Sequence, residues 1–271
     1  MNISYTKIDP AGNITAIVDS FVPRQEQSLA AAELMKRDAS LEQVGFLEKP
    51  DDPCCLVRLQ MMGGEFCGNA SLSAAAVMLQ KSGMPAGIPC ELTLEVSGAP
   101  DSVAITGSVN EAGIFEGSVS MPLPESISEF CFFDGFDCYT LPLVRFPGIC
   151  HAIVPAGTLE RGDALRLIGQ WCSQLRADAL GLMFFDKAAG RLEPLVFVAS
   201  TGTAVWEGSC ASGTAAVAAY LAELDGERSE ITLLQPRGSL SAGAKYSGGM
   251  VRALTLRGSA VSMGRYTVLL P

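Results

Sequence analysis

One cysteine setting occurs twice in this chain, and that repetition constrains the fold more than any other feature. The first occurrence is Gly63-Gly64-Glu65-Phe66-Cys67-Gly68-Asn69-Ala70, followed by the small, apolar run Ser71 to Leu79. The second is Trp206-Glu207-Gly208-Ser209-Cys210-Ala211-Ser212-Gly213-Thr214, followed by Ala215 to Leu221. Each reads as an extended segment, a glycine-bearing turn, a cysteine and an alanine-rich helix. The two cysteines stand 143 residues apart in a chain of 271, which predicts a duplicated half-molecule with one thiol per half. A residue at a helix start meets amides that lack intrahelical acceptors and the positive end of the helix dipole. That setting predicts a lowered thiol pKa and a usable base or nucleophile.

Composition narrows the class. Hydrophobic residues make up 48% and charged residues 18%, which suits a globular chain able to bury one large core or two modest ones. The net charge of −10, with no basic cluster, argues against a nucleic-acid partner. No run reaches membrane-spanning length, and the N-terminus does not read as a signal peptide, so no membrane partner is expected. Nine cysteines with no CxxC pair and a single histidine offer no zinc site of the usual spacing and no disulfide framework. A reducing cytoplasm is the expected location. The remaining cysteines (Cys54, Cys55, Cys90, Cys131, Cys138, Cys150, Cys172) read mostly as buried filler.

Along the chain, strands are expected at 14–18, 44–47, 55–61, 92–96, 102–106 and 115–121, with helical composition at 29–36. The first alanine helix should stop at Lys81-Ser82-Gly83. Pro122-Leu123-Pro124-Glu125 reads as a linker, after which the pattern restarts. Strands at 139–144, 152–154, 181–185 and 195–198, an amphipathic helix over 164–175, the second cysteine helix, and strands at 231–234 and 251–256 follow. The expected fold is α+β: two similar, pseudo-symmetric lobes, each a curled, mostly antiparallel sheet around a central helix. The lobes are expected at 1–124, completed by a closing strand from 259–271, and at 125–258.

If the two helix starts face one cleft, a small carboxylate could rest on their amides with its Cα between two thiols. One thiolate would remove the Cα proton and the other thiol would return one to the opposite face. Preorganised amides would stabilise the carbanion. The chain resembles the diaminopimelate epimerase-like family of cofactor-independent amino-acid racemases and epimerases. Beyond the cysteines, Lys7-Ile8-Asp9-Pro10-Ala11-Gly12-Asn13, Glu42 to Glu48, Cys150-His151-Ala152-Ile153-Val154 and the closing segment 258–270 are similar to family segments. The resemblance implies Cys67, Cys210 and His151 as catalytic residues. It implies Asn13, Gln43, Gly68, Asn69, Ala211 and Ser212 as substrate contacts, the last two through backbone amides. His151 would assist the proton traffic of one thiol. No cofactor and no metal are implied, the ligand would be a free amino acid, and a homodimer is the expected assembly.

Three departures from diaminopimelate epimerases bear on the substrate. Ile149 stands where an asparagine is usual, Thr201-Gly202-Thr203-Ala204 where a Glu-Arg pair is usual, and Gln60-Met61-Met62-Gly63-Gly64 replaces an Asn-Ala-Asp-Gly-Ser-type stretch. These groups would hold a distal amino-acid head. The two cysteine motifs are more similar to those of histidine racemases from opine-type metallophore pathways, so histidine is the expected substrate. Diaminopimelate or another amino acid is the alternative. Other classes are a thiol redox or sensor protein, an inactive amino-acid-binding module, and a phenazine-type isomerase. Singly, each cysteine could be a small buried helix-start residue, His151 a core imidazole, and Asn13 and Asn69 turn residues. Glu65 and Glu207 could tune a thiol or serve as solvated or capping carboxylates, and Trp206 could line the pocket or pack.

Overall fold

The computed structural model describes residues 1–270. Contacts divide the chain into two compact units: residues 1–120 with the stretch from Arg257 onward, and Met121–Leu256.

The first unit runs β1 (Asn2–Asp9), β2 (Thr15–Val18), α1 (Arg24–Arg37), β3 (Gln43–Glu48), β4 (Val57–Met61), α2 (Gly68–Ser82), β5 (Cys90–Val96), β6 (Val103–Val109) and β7 (Ile114–Ser120). The second runs β8 (Ser126–Phe133), β9 (Cys138–Phe146), β10 (Ile149–Pro155), α3 (Arg161–Leu175), β11 (Ala179–Asp186), β12 (Arg191–Val198), β13 (Thr203–Trp206), α4 (Ala211–Asp225), β14 (Arg228–Gln235) and β15 (Gly238–Ser247). The last strand, β16 (Met250–Leu269), runs through the boundary between units.

The duplication extends to strand order. In the first unit the sheet reads β1-β2-β3-β4-β5-β6-β7, and in the second β9-β10-β11-β12-β14-β15-β16. The parallel pairs fall at matching places. β2 and β3 are parallel across α1, as β10 and β11 are across α3. β4 and β5 are parallel across α2, as β12 and β14 are across α4. Parallel neighbours need a crossover, and in all four cases a helix supplies it. The first sheet closes on itself, because β16 borders β7 and also pairs antiparallel with β1 from Asn2↔Leu269 to Asp9↔Val261. In the second unit β8 occupies the corresponding place beside β9. The expected α+β class and repeated lobe architecture hold.

The helices divide into inner and outer ones. α2 packs against β1, β2, β3, β6 and β7 and buries eleven of its fifteen residues. α4 packs against β9, β10, β11, β14 and β15. Their alanines (Ala74, Ala75, Ala76; Ala215, Ala216, Ala218, Ala219, Ala222) are almost fully buried. Small side chains on every face let strands approach all round, where an amphipathic helix would present a polar face to the core. Both helices stop at a left-handed glycine, Gly83 (φ 66°) and Gly226 (φ 75°), a conformation that costs glycine no Cβ clash. The outer helices are one-sided. α1 lays Ala30, Ala31 and Leu34 on Tyr5, Ala16, Val44 and Phe46, and α3 lays Leu167, Ile168, Trp171 and Leu175 on Ala152, Leu180, Leu182 and Leu195.

The cysteine expectation needs correction. Cys55, Cys150 and Cys172 are buried, but Cys54 is exposed. Cys131 and Cys138 are also exposed and form a disulfide between β8 and β9. They flank the turn at Asp134–Asp137, where one strand pair brings two cysteines seven residues apart to a Cα–Cα distance of 5.7 Å.

Candidate active site

The two cysteines occupy the same backbone niche. Cys67 is the N-cap of α2 at φ −134°, ψ 110°, and Cys210 the N-cap of α4 at φ −129°, ψ 112°. Each sulfur accepts a first-turn amide at 3.4 Å, from Ala70 and Gly213 respectively. Each cysteine carbonyl is taken by the hydroxyl four residues on, Ser71 at 2.8 Å and Thr214 at 2.7 Å. Here sulfur does what serine, threonine or aspartate does at an ordinary helix N-cap. Gly68 and Asn69, and equally Ala211 and Ser212, sit in the first turn, where no intrahelical carbonyl is available to their amides.

In the first unit the turn before Cys67 is clamped from β5's end. Ser97 Oγ accepts the Met61 amide at 2.9 Å and donates to the Glu65 carbonyl at 2.9 Å. Gly98 follows at φ 74°, and a Cβ there would lie 2.3 Å from the Phe66 nitrogen, so only glycine lets this strand end reach the turn. Glu65 curls back over Gly63. Asn13 leaves a turn in which Ala11 and Gly12 both have positive φ, at 59° and 92°, and the Gly12 amide donates to the Asp9 carboxylate. Asn13 is buried, and its amide donates to Glu42 at 3.0 Å, beside Gln43. Gln43 shares a strand face with Gly45, next to Leu59 and Met61, and its buried Oε1 has no hydrogen-bond partner among the described residues. A buried amide oxygen left without a donor awaits one. Asn69 is buried, and its carbonyl accepts Ser73 Oγ at 2.9 Å.

In the second unit, side chains from distant elements gather at Cys210. His151 lies fully buried on β10, and its Nε2 is 2.9 Å from Ser212 Oγ. Ser212 Oγ is in turn 3.6 Å from Cys210 Sγ. Ser212 thus engages its side chain, where the sequence implied a backbone role alone. Room for the imidazole comes from a gap in β11. A Cβ at Gly181 would lie 2.3 Å from His151 Nδ1, and one at Gly213 would lie 2.1 Å from Met183 Sδ. Gln235 on β14 is a partner the sequence did not disclose. Its Oε1 accepts the Cys210 amide at 2.7 Å and its Nε2 donates to Thr214 Oγ1 at 2.9 Å, tying the helix start to the sheet. Trp206 packs against Phe184 and under the Arg161 guanidinium, 3.7 Å from its ring centroid, so its contacts are packing ones.

Electrostatics revise one expectation. Burial, aided by the nearby Glu207 carboxylate, pushes the Cys210 thiol well above its ordinary pKa. Hydrogen bonds from Ser212 and the Gly213 amide oppose that rise without cancelling it. The helix-start position therefore does not lower this thiol as the sequence implied, because desolvation penalises the thiolate more than two donors stabilise it. Burial alone lowers the His151 pKa to about 3, so the imidazole is neutral at working pH. Among the described residues no group of three or more His, Cys, Asp or Glu is placed to hold a metal ion. No helix of the described residues is long and apolar enough to cross a membrane.

Comparison with known proteins adds the family context. Residues 2–265 match the family described as histidine racemase CntK N-terminal domain. A histidine racemase of Fusobacterium nucleatum subsp. nucleatum is 33% identical over 252 residues, covering 88% of each chain. One from Staphylococcus aureus is 27% identical over 246 residues, covering 88% of this chain and 87% of that one. The solved structure of a hydroxyproline epimerase from Agrobacterium vitis, with bound trans-4-hydroxy-L-proline, superposes at TM-score 0.74 with 13% identity. It covers 99% of this chain and 93% of that one. A predicted epimerase from Pseudomonas aeruginosa gives TM-score 0.69 at 18% identity, covering 99% of this chain and all of that one. At these identities the two structures speak for the fold alone.

Proposed function

Since the chain belongs to the histidine racemase family, we propose that this cofactor-independent amino-acid racemase inverts the Cα of histidine, with Cys67 and Cys210 as its two proton-transfer groups. The observation that carries the reading is the matched N-cap: two sulfurs in the same backbone niche, each heading a helix with first-turn amides beside it. The amides of Gly68, Asn69, Ala211 and Ser212 receive the substrate carboxylate, and Asn13 and Gln43 the rest of the amino acid. One cysteine, as thiolate, takes the Cα proton. The C–H bond breaks, an S–H bond forms, and the electron pair stays on carbon, delocalised into the carboxylate. The other cysteine, as thiol, gives its proton to the opposite face and becomes the thiolate. The pair ends with roles exchanged, so the reverse reaction needs no further step. Amide donors at the carboxylate stabilise the developing charge. His151, held neutral, serves as a fixed hydrogen-bond partner on the Cys210 side.

Histidine is favoured over diaminopimelate by the curated relatives and by Ile149, Thr201–Ala204 and Gln60–Gly64, which replace the groups a distal amino-acid head would need. A thiol redox role fits less well, because the disulfide among the described residues, Cys131–Cys138, lies between β8 and β9 and joins neither helix-cap cysteine. The reading takes a free amino acid as ligand, a homodimer as assembly and the cytoplasm as location. The test is incubation of L-histidine, meso-diaminopimelate and a panel of other L-amino acids in deuterium oxide, read by mass and chirality. D-Histidine with one deuterium at Cα is the expected product. Inversion without solvent label, or no inversion of histidine, refutes the reading.

A further inference from the structure

We infer that Ser212 is a positioning residue for the reaction: its hydroxyl, held by His151 Nε2–H, donates to the Cys210 sulfur and stabilises that cysteine's anionic form. The inference rests on the reading of Cys210 as a proton-transfer group. It is carried by a run of contacts, Nε2···Oγ at 2.9 Å and Oγ···Sγ at 3.6 Å, and by what surrounds the imidazole.

The direction of the chain follows from the other ring nitrogen. His151 Nδ1 is buried and has no hydrogen-bond partner among the described residues, facing the backbone of Gly181. A neutral imidazole carries one N–H and one lone pair. An orphaned buried N–H is rarer and costlier than an under-used acceptor. The proton therefore sits on Nε2, and Nδ1 presents only its lone pair to the apolar wall. Nε2–H then donates to Ser212 Oγ, which leaves the hydroxyl proton for Cys210 Sγ.

The neighbours fit this direction. Among the described residues burial alone shifts the imidazole's pKa; Phe146 meets the ring edge-on, with centroids 6.1 Å apart, and Met183 lies alongside. The charged group that acts on Cys210 is Glu207, whose carboxylate favours the protonated thiol. Gln235 is neutral and is taken up by the Cys210 amide and Thr214. Ser212 is thus the side chain that favours the thiolate, and burial of His151, which holds it neutral with a pKa lowered to about 3, keeps the bond's polarity fixed through the pH range of the enzyme. Cα deprotonation by Cys210 starts from the thiolate, so a donor to that sulfur sets how much of it exists at a given pH.

The chain has a single histidine, so untagged, full-length protein labelled with 15N-histidine gives one imidazole signal set. The expected spectrum has Nε2 protonated and Nδ1 unprotonated from pH 5 to 9; an Nδ1–H tautomer or an imidazolium in that range overturns the inference. The second arm is the pH profile of kcat/KM for histidine racemisation. Ser212→Ala should move the acid limb upward by about one to two pH units, the effect of one hydrogen bond to a charged group. Ser212→Thr, which keeps the hydroxyl, should return the limb to within half a unit of the parent, a readout a purely structural serine would not give. An unmoved limb in Ser212→Ala, or a Thr variant displaced as far as Ala, overturns the inference. The two failures separate. A parent protein that does not racemise histidine refutes the functional reading, and the imidazole spectrum then still decides whether the hydrogen-bond chain exists.

Discussion

Gly181→Ala tests the geometry around His151 through stability, independently of catalysis. In a strand interior the exchange normally stabilises by about 0.5–1 kcal/mol, because glycine loses more conformational freedom on folding. Here the new Cβ would sit 2.3 Å from His151 Nδ1 and 2.9 Å from its Cε1, with Met183 Cε at 2.6 Å. Met183 can swing its flexible end away, but the imidazole is a rigid ring and is fully buried. Restoring an ordinary contact requires a ring displacement of roughly 1 Å. A shift of that size takes the 2.9 Å contact with Ser212 out of hydrogen-bond geometry. Overpacking costs about 1–3 kcal/mol, and a lost bond between buried polar groups about 1–3 kcal/mol more. Set against the backbone gain, the net loss is about 1–5.5 kcal/mol. Urea unfolding should show a lower midpoint at unchanged slope. The sign should reverse in a His151→Ala background, where the methyl has room: Gly181→Ala there is neutral or stabilising by up to about 1 kcal/mol. The double-mutant cycle isolates this coupling. Equal losses in both backgrounds, or a Gly181→Ala protein as stable as the parent, refute the packing argument.

Cys67→Ala and Cys210→Ala should each reduce histidine racemisation to background while leaving the circular dichroism spectrum unchanged; near-normal turnover by either variant excludes the two-thiol scheme. Gln235→Leu leaves the Cys210 amide and Thr214 hydroxyl without their partner and should cost about 1–3 kcal/mol in urea unfolding. Asp19 is nearly fully buried and ion-paired to both Lys81 and Arg265. Asp19→Ala should cost about 1–3 kcal/mol, below the roughly 3–5 kcal/mol of a fully buried broken pair, because both cations left behind are half exposed. Burial raises the Asp19 pKa, but hydrogen bonds from Arg265 and Lys81 outweigh it and the net shift is downward. A carboxylate whose folded pKa is depressed contributes its full stability above its unfolded pKa of about 4, and loses it as pH falls through the folded value. Acid unfolding of the parent below about pH 4 should therefore be steeper than that of Asp19→Ala; superimposable acid transitions refute the assignment.

Much of the frame was legible because it is written in local signals. The inner helices announce themselves as alanine runs ending in Gly83 and Gly226, and the cysteines before them occupy the N-caps that the pattern implied. The strands that went unread lack such signals. β15, with the sequence Gly-Ser-Leu-Ser-Ala-Gly-Ala-Lys-Tyr-Ser, has a loop-like composition, yet Leu240, Ala242 and Ala244 alternate into the core on a strand packed against α4. β8 is mostly exposed, and its single fully buried residue, Phe132, gives no alternation to read. β13 has four residues and no periodicity.

The site divides along the same line. Duplication made the two caps visible, whereas the differences between them depend on pairings between distant segments. His151 meets Ser212 across 61 residues, by way of the β10–β11 parallel pair and the opening at Gly181. Gln235 reaches Cys210 across 25 residues, from a strand that follows the helix it clamps. Nothing in local composition marks either contact. These additions have a chemical consequence that a symmetric duplication would lack. A two-base inversion needs one sulfur ionised and the other protonated when substrate arrives. With identical environments the two assignments would be equal in energy. Burial and Glu207 bias Cys210 toward the thiol, while the Ser212 hydroxyl keeps its thiolate within reach. The repeated backbone therefore places two cysteines at equivalent helix caps, and burial, Glu207 and Ser212 bias which form Cys210 holds at rest.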